Sequence, residues 1–306
     1  MMVETSSSFD STSGAAPFVS VIIPVLNGER YIATCLDSVI QQSYSNLEIL
    51  VANNLSTDHT LDIVNSYGDP RIRVLPDPKH QLRLHDNWTR AMIEANGEFV
   101  KIVCHDDLLL DGCISAQVDL LQRYKEAVLT CSRRRIIDDR GKLLIRARGL
   151  GHLVRHDDVA LLNGRTIAHE CTRAGSNLLG EPASVLIRRT ALPEVPFDYR
   201  WTFALDIEFY MRCIGQKDAV IDGRVLSCFR VSPRQLSASL ASRQAEEMKV
   251  FFTEMALRYP GDISRTDLQI GKMKSKLLVQ ARRLLYLHLR FRDAMTARRQ
   301  PHPDQS

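Results

Sequence analysis

No stretch of the 306-residue chain approaches the ~18 consecutive apolar residues that a membrane-spanning helix needs. The opening segment, MMVETSSSFDSTSGAAP, has neither a basic n-region nor an apolar h-region. It therefore reads as a polar, disordered tail over residues 1–18 and not as a secretory signal. No GxGxxG follows an apolar run, and neither GxxxxGKS nor GxxxxGKT occurs. A dinucleotide-binding oxidoreductase and a P-loop NTPase both lose their principal signatures. The seven cysteines, Cys35, Cys104, Cys113, Cys131, Cys171, Cys213 and Cys228, are scattered and form no CxxC, which argues against structural zinc and for a reducing compartment. There is no internal repeat.

What is present fits an ordinary globular chain, with 44% hydrophobic and 25% charged residues. The net charge of +4 is unevenly spread. Residues 265–299 hold ten Lys and Arg against Asp267 and Asp293, about +8, so the remainder is near −4. The basic character belongs to the C-terminal region.

Periodicity predicts alternating elements. VSVIIPV at 19–25 reads as a strand buried on both faces, with its proline just past the paired part. Residues 29–42 place Ile32, Cys35, Leu36 and Val39 on one helical face. LEILVA at 47–52 and RIRVL at 71–75 read as further strands, and Ser56 and Asp58 supply cap chemistry before the helical stretch TLDIVNSYG at 60–68. A helix over 84–95 repeats Trp88, Ala91, Met92 and Ala95, which marks Trp88 as core; Asn96-Gly97 ends it, with the glycine expected in the left-handed position. A fourth strand covers 98–104. Beyond it come a helix near 112–125, a strand at 127–133, a hairpin at 138–141, a long polar connection to about 180, a strand at 184–188, a helix at 203–214, a strand at 225–231, and helices from 235 interrupted at Pro260-Gly261.

This order predicts an α/β protein with a doubly wound, mostly parallel sheet and helices on both faces. In such sheets ligands lie beyond the carboxyl ends of the strands. Pro24–Asn27, Asn53–Asp58 and the adjacent pair Asp106-Asp107 all fall there. Two carboxylates after a buried strand repel each other and lose solvation. Taken alone the pair reads as a solvated turn with Asp111 capping the next helix. Beside the other two clusters it reads as part of a site where a divalent cation would relieve the repulsion.

The ordered pieces resemble the family 2 glycosyltransferases of the GT-A fold. They are the strand ending Pro24-x-x-Asn27, the helix end Ser38-x-x-x-Gln42, the turn Ser56-Thr57-Asp58, and Asn87-Trp88-x-Arg90-Ala91. Gly97-Glu98 with its strand, Asp106-Asp107, Asp206 with Arg212 in ALDIEFYMRC, and FRVSPRQLS follow, covering roughly 19–237. The resemblance implies a GT-A domain at 19–232, with a nucleotide-sugar half at 19–110 and an acceptor half at 111–232, followed by a basic helical region at 233–306. It further implies inverting transfer from a nucleotide diphosphate sugar to a hydroxyl of a glycan or lipid-linked acceptor, in polysaccharide or cell-envelope glycan assembly. Asp106 and Asp107 would hold Mn2+ or Mg2+, and Asp206 would be the base, with Glu208 as the nearby substitute. Pro24, Val25, Asn27, Glu29, Asn53, Asp58, Asn87, Arg90, Asp106 and Arg230 would line the donor, with Arg90 and Arg230 neutralising phosphate.

Three positions depart from the family pattern, one of them Ser232, which sits where many relatives carry a histidine near the closing arginine. Asn53 replaces a usual aspartate, and Cys104 stands where a first carboxylate would be, leaving one fewer hard ligand; Cys104 itself reads as a small packed hydrophobe. The clusters His152/His156/Asp157/Asp158 and His169-Glu170-Cys171 read as solvated surface. Glu181 is loosely expected to face the acceptor. In the tail, Leu277, Leu278, Ala281, Leu284, Leu285 and Leu287 sit among basic residues; packing on the main domain is the favoured reading. The alternative is a peripheral contact with the inner face of a membrane by a cytoplasmic protein. No motif supports nucleic-acid binding. Rival readings are a nucleotide-binding protein without turnover, a nucleotidyltransferase, for which LNGER is too poor in glycine and basic residues, and an adaptor acting through 265–299.

Overall fold

The computed structural model describes residues 15–149, 153–232 and 241–297. His152, residues 233–237 of the closing motif and most of the polar tail lie outside them. The first half runs β1 (Val19–Val25), α1 (Ile32–Ile40), β2 (Leu47–Asn53), α2 (Thr60–Ser66), β3 (Ile72–Val74), α3 (Leu84–Ile93), β4 (Phe99–Ile102), β5 (Leu108–Leu109) and α4 (Cys113–Arg123). The second runs β6 (Ala127–Asp138), β7 (Leu143–Arg148), β8 (Val159–Asn163), α5 (Gly164–Ala174), β9 (Val185–Arg188), α6 (Leu205–Ile214), β10 (Asp218–Val231), α7 (Ala241–Arg258) and α8 (Arg265–Ala297).

All ten strands join one sheet in the order β3-β2-β1-β4-β9-β6-β10-β5, with β7 on β6 and β8 on β10. β3-β2-β1-β4 is parallel throughout, as is β6 with β10, while β9, β5, β7 and β8 pair antiparallel. The alternation of β1 explains how the sheet is covered. Val19, Val21, Ile23 and Val25 face a core layer shared with α1, α2 and α4, and Ile22 faces the other layer, which contains α3, α5, α6 and α7. Such two-sided burial is what makes the strand read as a continuous apolar run.

Pro24 lies within β1. Pairing with β4 stops at Ile22, whereas pairing with β2 continues to Val25. The proline thus has a strand on one side only, where a missing N–H is tolerated. Gly97 is not the left-handed cap expected of it. A Cβ there would stand 2.4 Å from Ser20 N and 2.6 Å from Phe99 O, so close approach to β1 demands the glycine.

The long polar connection to residue 180 contains three elements. β7 is exposed along most of its length and shows no alternation. α5 carries two end signals: the Asn163 side chain accepts from Thr166 N at 2.9 Å, and Gly175 closes the helix at φ 66. α8 crosses α5 closely; a Cβ on Gly271 would stand 1.8 Å from Thr172 O. No described helix is long and apolar enough to cross a membrane.

Candidate active site

The loops after β1 and β2 are laced together by side chains on backbone amides. Asn27, at φ 51, donates its N–H to Ser56 Oγ at 2.9 Å, and its Oδ1 accepts from Thr57 N at 2.8 Å. Gly28 N donates to Thr60 Oγ1 at 2.8 Å, Glu29 N to Asp58 Oδ2 at 3.0 Å, and His59 N to Glu29 Oε2 at 3.1 Å. Asp58 Oδ1 also accepts from Thr60 N at 3.0 Å. These bonds to the ionised carboxylate hold Asp58 below the usual range against a desolvation penalty. Asn27, Glu29 and Asp58 thus shape the rim that Pro24 and Val25 lead into.

Asn53 is fully buried; its Nδ2 donates to Asp77 Oδ1 at 2.7 Å and its Oδ1 accepts from Ser56 N at 3.2 Å. Asp77 was not among the expected site residues; its one signal is its place after the short β3. Arg90 is more committed than a phosphate clamp would be. Its Nε donates to Asn87 Oδ1 at 2.8 Å, Nη1 to Pro76 O at 2.8 Å and Nη2 to Asn53 O at 2.5 Å. Asn87 Nδ2 donates to Ala52 O at 3.0 Å. Arg90 and Asn87 together brace the ends of β2 and β3.

The chain turns after β4, closed by Asp107 N donating to Cys104 O at 2.9 Å. His105 seats on Gly28, where a Cβ would stand 2.7 Å from its Cδ2, so this turn touches the β1 rim. Cys104 packs at the edge of the core, as expected. Asp106 is partly exposed, and Asp107 is fully buried. Arg230 holds both: its N donates to Asp107 Oδ1 at 3.0 Å and its Nε to Asp106 O at 2.8 Å. Its Nη1 donates to Asp138 O at 3.3 Å, and the guanidinium lies 4.6 Å from the Tyr31 ring centroid.

Asp107 Oδ2 is buried without a hydrogen-bond partner among the described residues. Burial first, then the Asp106 charge, push Asp107 well above the carboxylate range. A divalent cation fits this pair, because it would satisfy the orphaned oxygen and relieve the repulsion. Cations of the Mg2+ type take one or two carboxylates and complete their shell with water and substrate phosphate. Among the described residues no three His, Cys, Asp or Glu side chains converge as a closed metal site, so the pair suits a shared cation and not an all-protein cage. His156 with Asp157 and His169 with Glu170 form partly or wholly exposed pairs.

Asp206 sits in the first turn of α6. Its Oδ1 accepts from Ile207 N at 2.7 Å and its Oδ2 from Asn177 Nδ2 at 2.9 Å. Asn177 is itself fixed on Gly180 by bonds in both directions. Desolvation raises the Asp206 carboxyl to about 6, and the hydrogen bonds and Arg134 only partly oppose it. The Cys104 thiol interacts electrostatically with Asp106, Asp107 and Asp206 alike, and Arg134 with both Asp107 and Asp206. The two acidic groups therefore lie near the same thiol and the same guanidinium. Glu208 is not an alternative base: Arg212 grips it from Nε at 2.6 Å and Nη2 at 3.0 Å. Glu181 is ion-paired with Arg134. Trp88 packs edge-on to Phe197 at 5.4 Å, as a core residue.

A family model described as glycosyl transferase family 2 matches residues 20–192. The chain belongs to this family. It is a glycosyltransferase by that membership and by its relatives. An uncharacterized glycosyltransferase of Rickettsia typhi is 27% identical over 242 residues, covering 78% of this chain and 71% of the relative. Hyaluronan synthase of Pasteurella multocida is 32% identical over 124 residues, 40% of this chain and only 12% of the synthase. Among solved structures, TarS of S. aureus with UDP-GlcNAc superposes with a TM-score of 0.61 at 17% identity, covering 84% of this chain and 71% of that one. The mannosyltransferase PcManGT of Pyrobaculum calidifontis, with GDP-Man and Mn2+, gives 0.58 at 17% identity over 94% and 77%. These likenesses show the GT-A fold that the family 2 motifs implied.

Proposed function

We propose that this glycosyltransferase moves a sugar with inversion from a nucleotide diphosphate donor to an acceptor hydroxyl. The observation that carries the reading is the grouping of Asp106-Asp107, with Asp107 Oδ2 unpartnered among the described residues, and Asp206, with its carboxyl at about 6, around the shared neighbours Cys104 and Arg134. The nucleoside end of the donor lies along Pro24–Asn27 and Asn53. Asp106, with Asp107 Oδ2 behind it, would hold Mn2+ or Mg2+, which supplies charge neutralisation for the departing diphosphate. Arg230 fixes the turn that presents both carboxylates. Asp206 accepts the proton of the acceptor hydroxyl as that oxygen bonds the anomeric carbon, and the bond from that carbon to the diphosphate breaks on the opposite face. A carboxyl near 6 is a stronger base than an ordinary aspartate, and it is ionised at neutral pH. The TarS and PcManGT complexes with nucleotide sugars support this class of donor. The match to hyaluronan synthase supports polysaccharide or cell-envelope glycan as the setting, with a glycan or lipid-linked acceptor.

The deciding experiment is a panel of nucleotide sugars with Mn2+ or Mg2+, read by thermal shift and by release of nucleoside diphosphate with and without glycan acceptors. Saturable binding with no release under any condition would favour the binding-only reading that Asn53 and Cys104 first raised.

α8 favours a place for this reaction at the inner membrane face. Met273, Leu277, Leu284, Leu287 and Phe291 are each more than half exposed and lie within about 80° of arc at 3.6 residues per turn. The opposite arc carries Ser275, Val279, Tyr286 and Leu289, all buried. Lys276, Arg283 and Arg290 border the exposed stripe, and residues 268–292 contain no Asp or Glu. A second copy on this face would set like charges against like. An anionic lipid surface accommodates both the stripe and its borders.

A further inference from the structure

Strands β6 and β7 set two arginines directly opposite each other. Arg134 and Arg148 are register partners in this antiparallel pair, an arrangement that like charges disfavour. Arg134 is buried and pairs with Glu181, its Nη2 donating to Oε1 at 3.1 Å. Arg148 has no hydrogen-bond or ion-pair partner among the described residues. A third guanidinium, that of Arg282, arrives from the inner side of α8, 5.3 Å from the Phe203 ring centroid, with Nη1 donating to Gln244 Oε1 at 3.4 Å.

Two of these cations, Arg134 and Arg282, lie near Asp206, and Arg148 stands opposite Arg134. Arg134 Nη1 would stand 3.0 Å from a Cβ on Gly180, and Gly180 is bonded in both directions by Asn177, the residue that orients Asp206. Arg134 and Arg282 each interact electrostatically with Asp206. Burial and then repulsion from Arg148 lower Arg134 to about 10. Arg148 is lowered by burial and then by Arg282, and Arg282 by burial, which Tyr286 and Asp206 oppose. Residues 140–156 hold Arg140, Lys142, Arg146, Arg148 and Arg155 and no carboxylate, between Asp138-Asp139 and Asp157-Asp158. A partly desolvated guanidinium such as that of Arg148, with no carboxylate partner among the described residues, is costly in the free protein, and such strain concentrates where a ligand supplies what is missing.

We propose that Arg148 and Arg282 form a subsite for an anionic group, phosphate or carboxylate, carried by the acceptor beside the hydroxyl that Asp206 deprotonates. The subsite rests on the transferase reading for its role, though not for its chemistry. Planar guanidiniums match either anion with two parallel N–H donors. A seated anion also offsets the positive field at Asp206, which makes the carboxylate a stronger base when the acceptor is in place.

The test uses the full chain in EDTA at fixed ionic strength, titrated calorimetrically with glycerol 3-phosphate, glucuronate and neutral methyl glucoside. At least one anion is expected to bind saturably while methyl glucoside does not, and the tighter anion identifies the source of the charge. Arg148→Gln should weaken that anion at least tenfold, yet leave Tm without ligand unchanged or higher, because an opposed pair of like charges is removed. Arg135→Gln, an exposed change on the other face of β6, should bind as wild type does. The subsite is refuted by any of three results: anions bind no better than methyl glucoside, Arg148→Gln binds like wild type, or Arg148→Gln lowers Tm. The same wild-type protein is titrated with nucleoside diphosphates and Mn2+. No binding there, with anion binding intact, removes the transferase reading and leaves the subsite; the reverse pattern removes the subsite alone.

Discussion

Arg230 holds Asp107 with its backbone and its neighbour with its side chain: its amide donates to Asp107 Oδ1 at 3.0 Å, and its Nε to the Asp106 carbonyl at 2.8 Å. β10 thereby fixes the turn that follows β4, two strands that are not neighbours in the sheet. A substitution spares the amide bond and removes the rest. Arg230→Ala should cost about 1.5–3 kcal/mol, the range for a charged hydrogen-bond donor, and lower Tm by about 2–5 °C. Donor affinity should fall with it. Arg230→Lys should recover part of the stability and little of the affinity, since a lysine cannot reach the Asp106 carbonyl, the Asp138 carbonyl and the Tyr31 ring together. Calorimetric unfolding beside nucleoside diphosphate titration reads both.

Asp206 makes a pH prediction with a definite sign. Its folded value, about 6, lies above the unfolded ~3.9, so the fold prefers the protonated carboxyl. That preference stabilises fully below pH 4 and is lost as pH rises through 6. Wild-type stability relative to Asp206→Asn should therefore decline by about 2–3 kcal/mol between pH 4 and pH 7. Transfer should run the other way, kcat/KM rising through an apparent pKa near 6. Asp206→Asn should lose roughly 10²–10⁴-fold in transfer while binding nucleoside diphosphate as wild type does. Wild-type turnover in the variant would remove Asp206 as the base.

The residues that could be read in advance are those whose pattern has one cause. The stripe Ile32, Cys35, Leu36 and Val39 packs on one layer, and the structure buries all four. The carboxyl ends of β1, β2 and β4 meet because parallel strands must align their ends, so Pro24–Asn27, Asn53–Asp58 and Asp106-Asp107 were legible as one edge. Roles set by side-chain partners were not. Nothing in the spacing of Arg90 reveals that three of its donors are taken, or that Arg212 neutralises Glu208. Gly97 was placed correctly and explained wrongly, because a close backbone approach and a left-handed turn select the same residue. The sequence of α8 hid its two apolar arcs, since opposed stripes cancel in any one-face reading. The helix packs as expected, but through Val279, Tyr286 and Leu289, and it leaves Leu277, Leu284 and Leu287 outside.

Metal dependence separates the two adjacent carboxylates. Asp106→Asn should remove most of the Mn2+-dependent Tm shift seen with nucleoside diphosphate and weaken that binding at least tenfold, with little change in stability, because the side chain is partly exposed. Asp107→Asn should keep the bond from Arg230 N through its carbonyl oxygen. The amide removes a buried charge that the fold disfavours, so stability should hold or rise while cation affinity falls. EDTA should abolish the difference in nucleotide binding between either variant and wild type. If Mn2+ shifts all three proteins equally, the cation is held elsewhere.

The two arcs of α8 can be tested separately because they face opposite ways. Vesicles of phosphatidylcholine alone and with phosphatidylglycerol at a third of the lipid should pellet the protein unequally, the anionic ones more, and added salt should reduce the difference. Leu277→Glu with Leu284→Glu places two acids in the exposed arc and buries nothing, so Tm should move by no more than about 1 °C while pelleting with anionic vesicles falls at least fivefold. Lys276→Gln with Arg283→Gln should weaken binding to anionic vesicles and leave the weak binding to neutral ones unchanged. Sedimentation velocity on the same proteins settles what covers the stripe: a wild-type dimer that Leu277→Glu with Leu284→Glu dissolves, with no pelleting in either vesicle, would assign the arc to self-association and end the membrane reading.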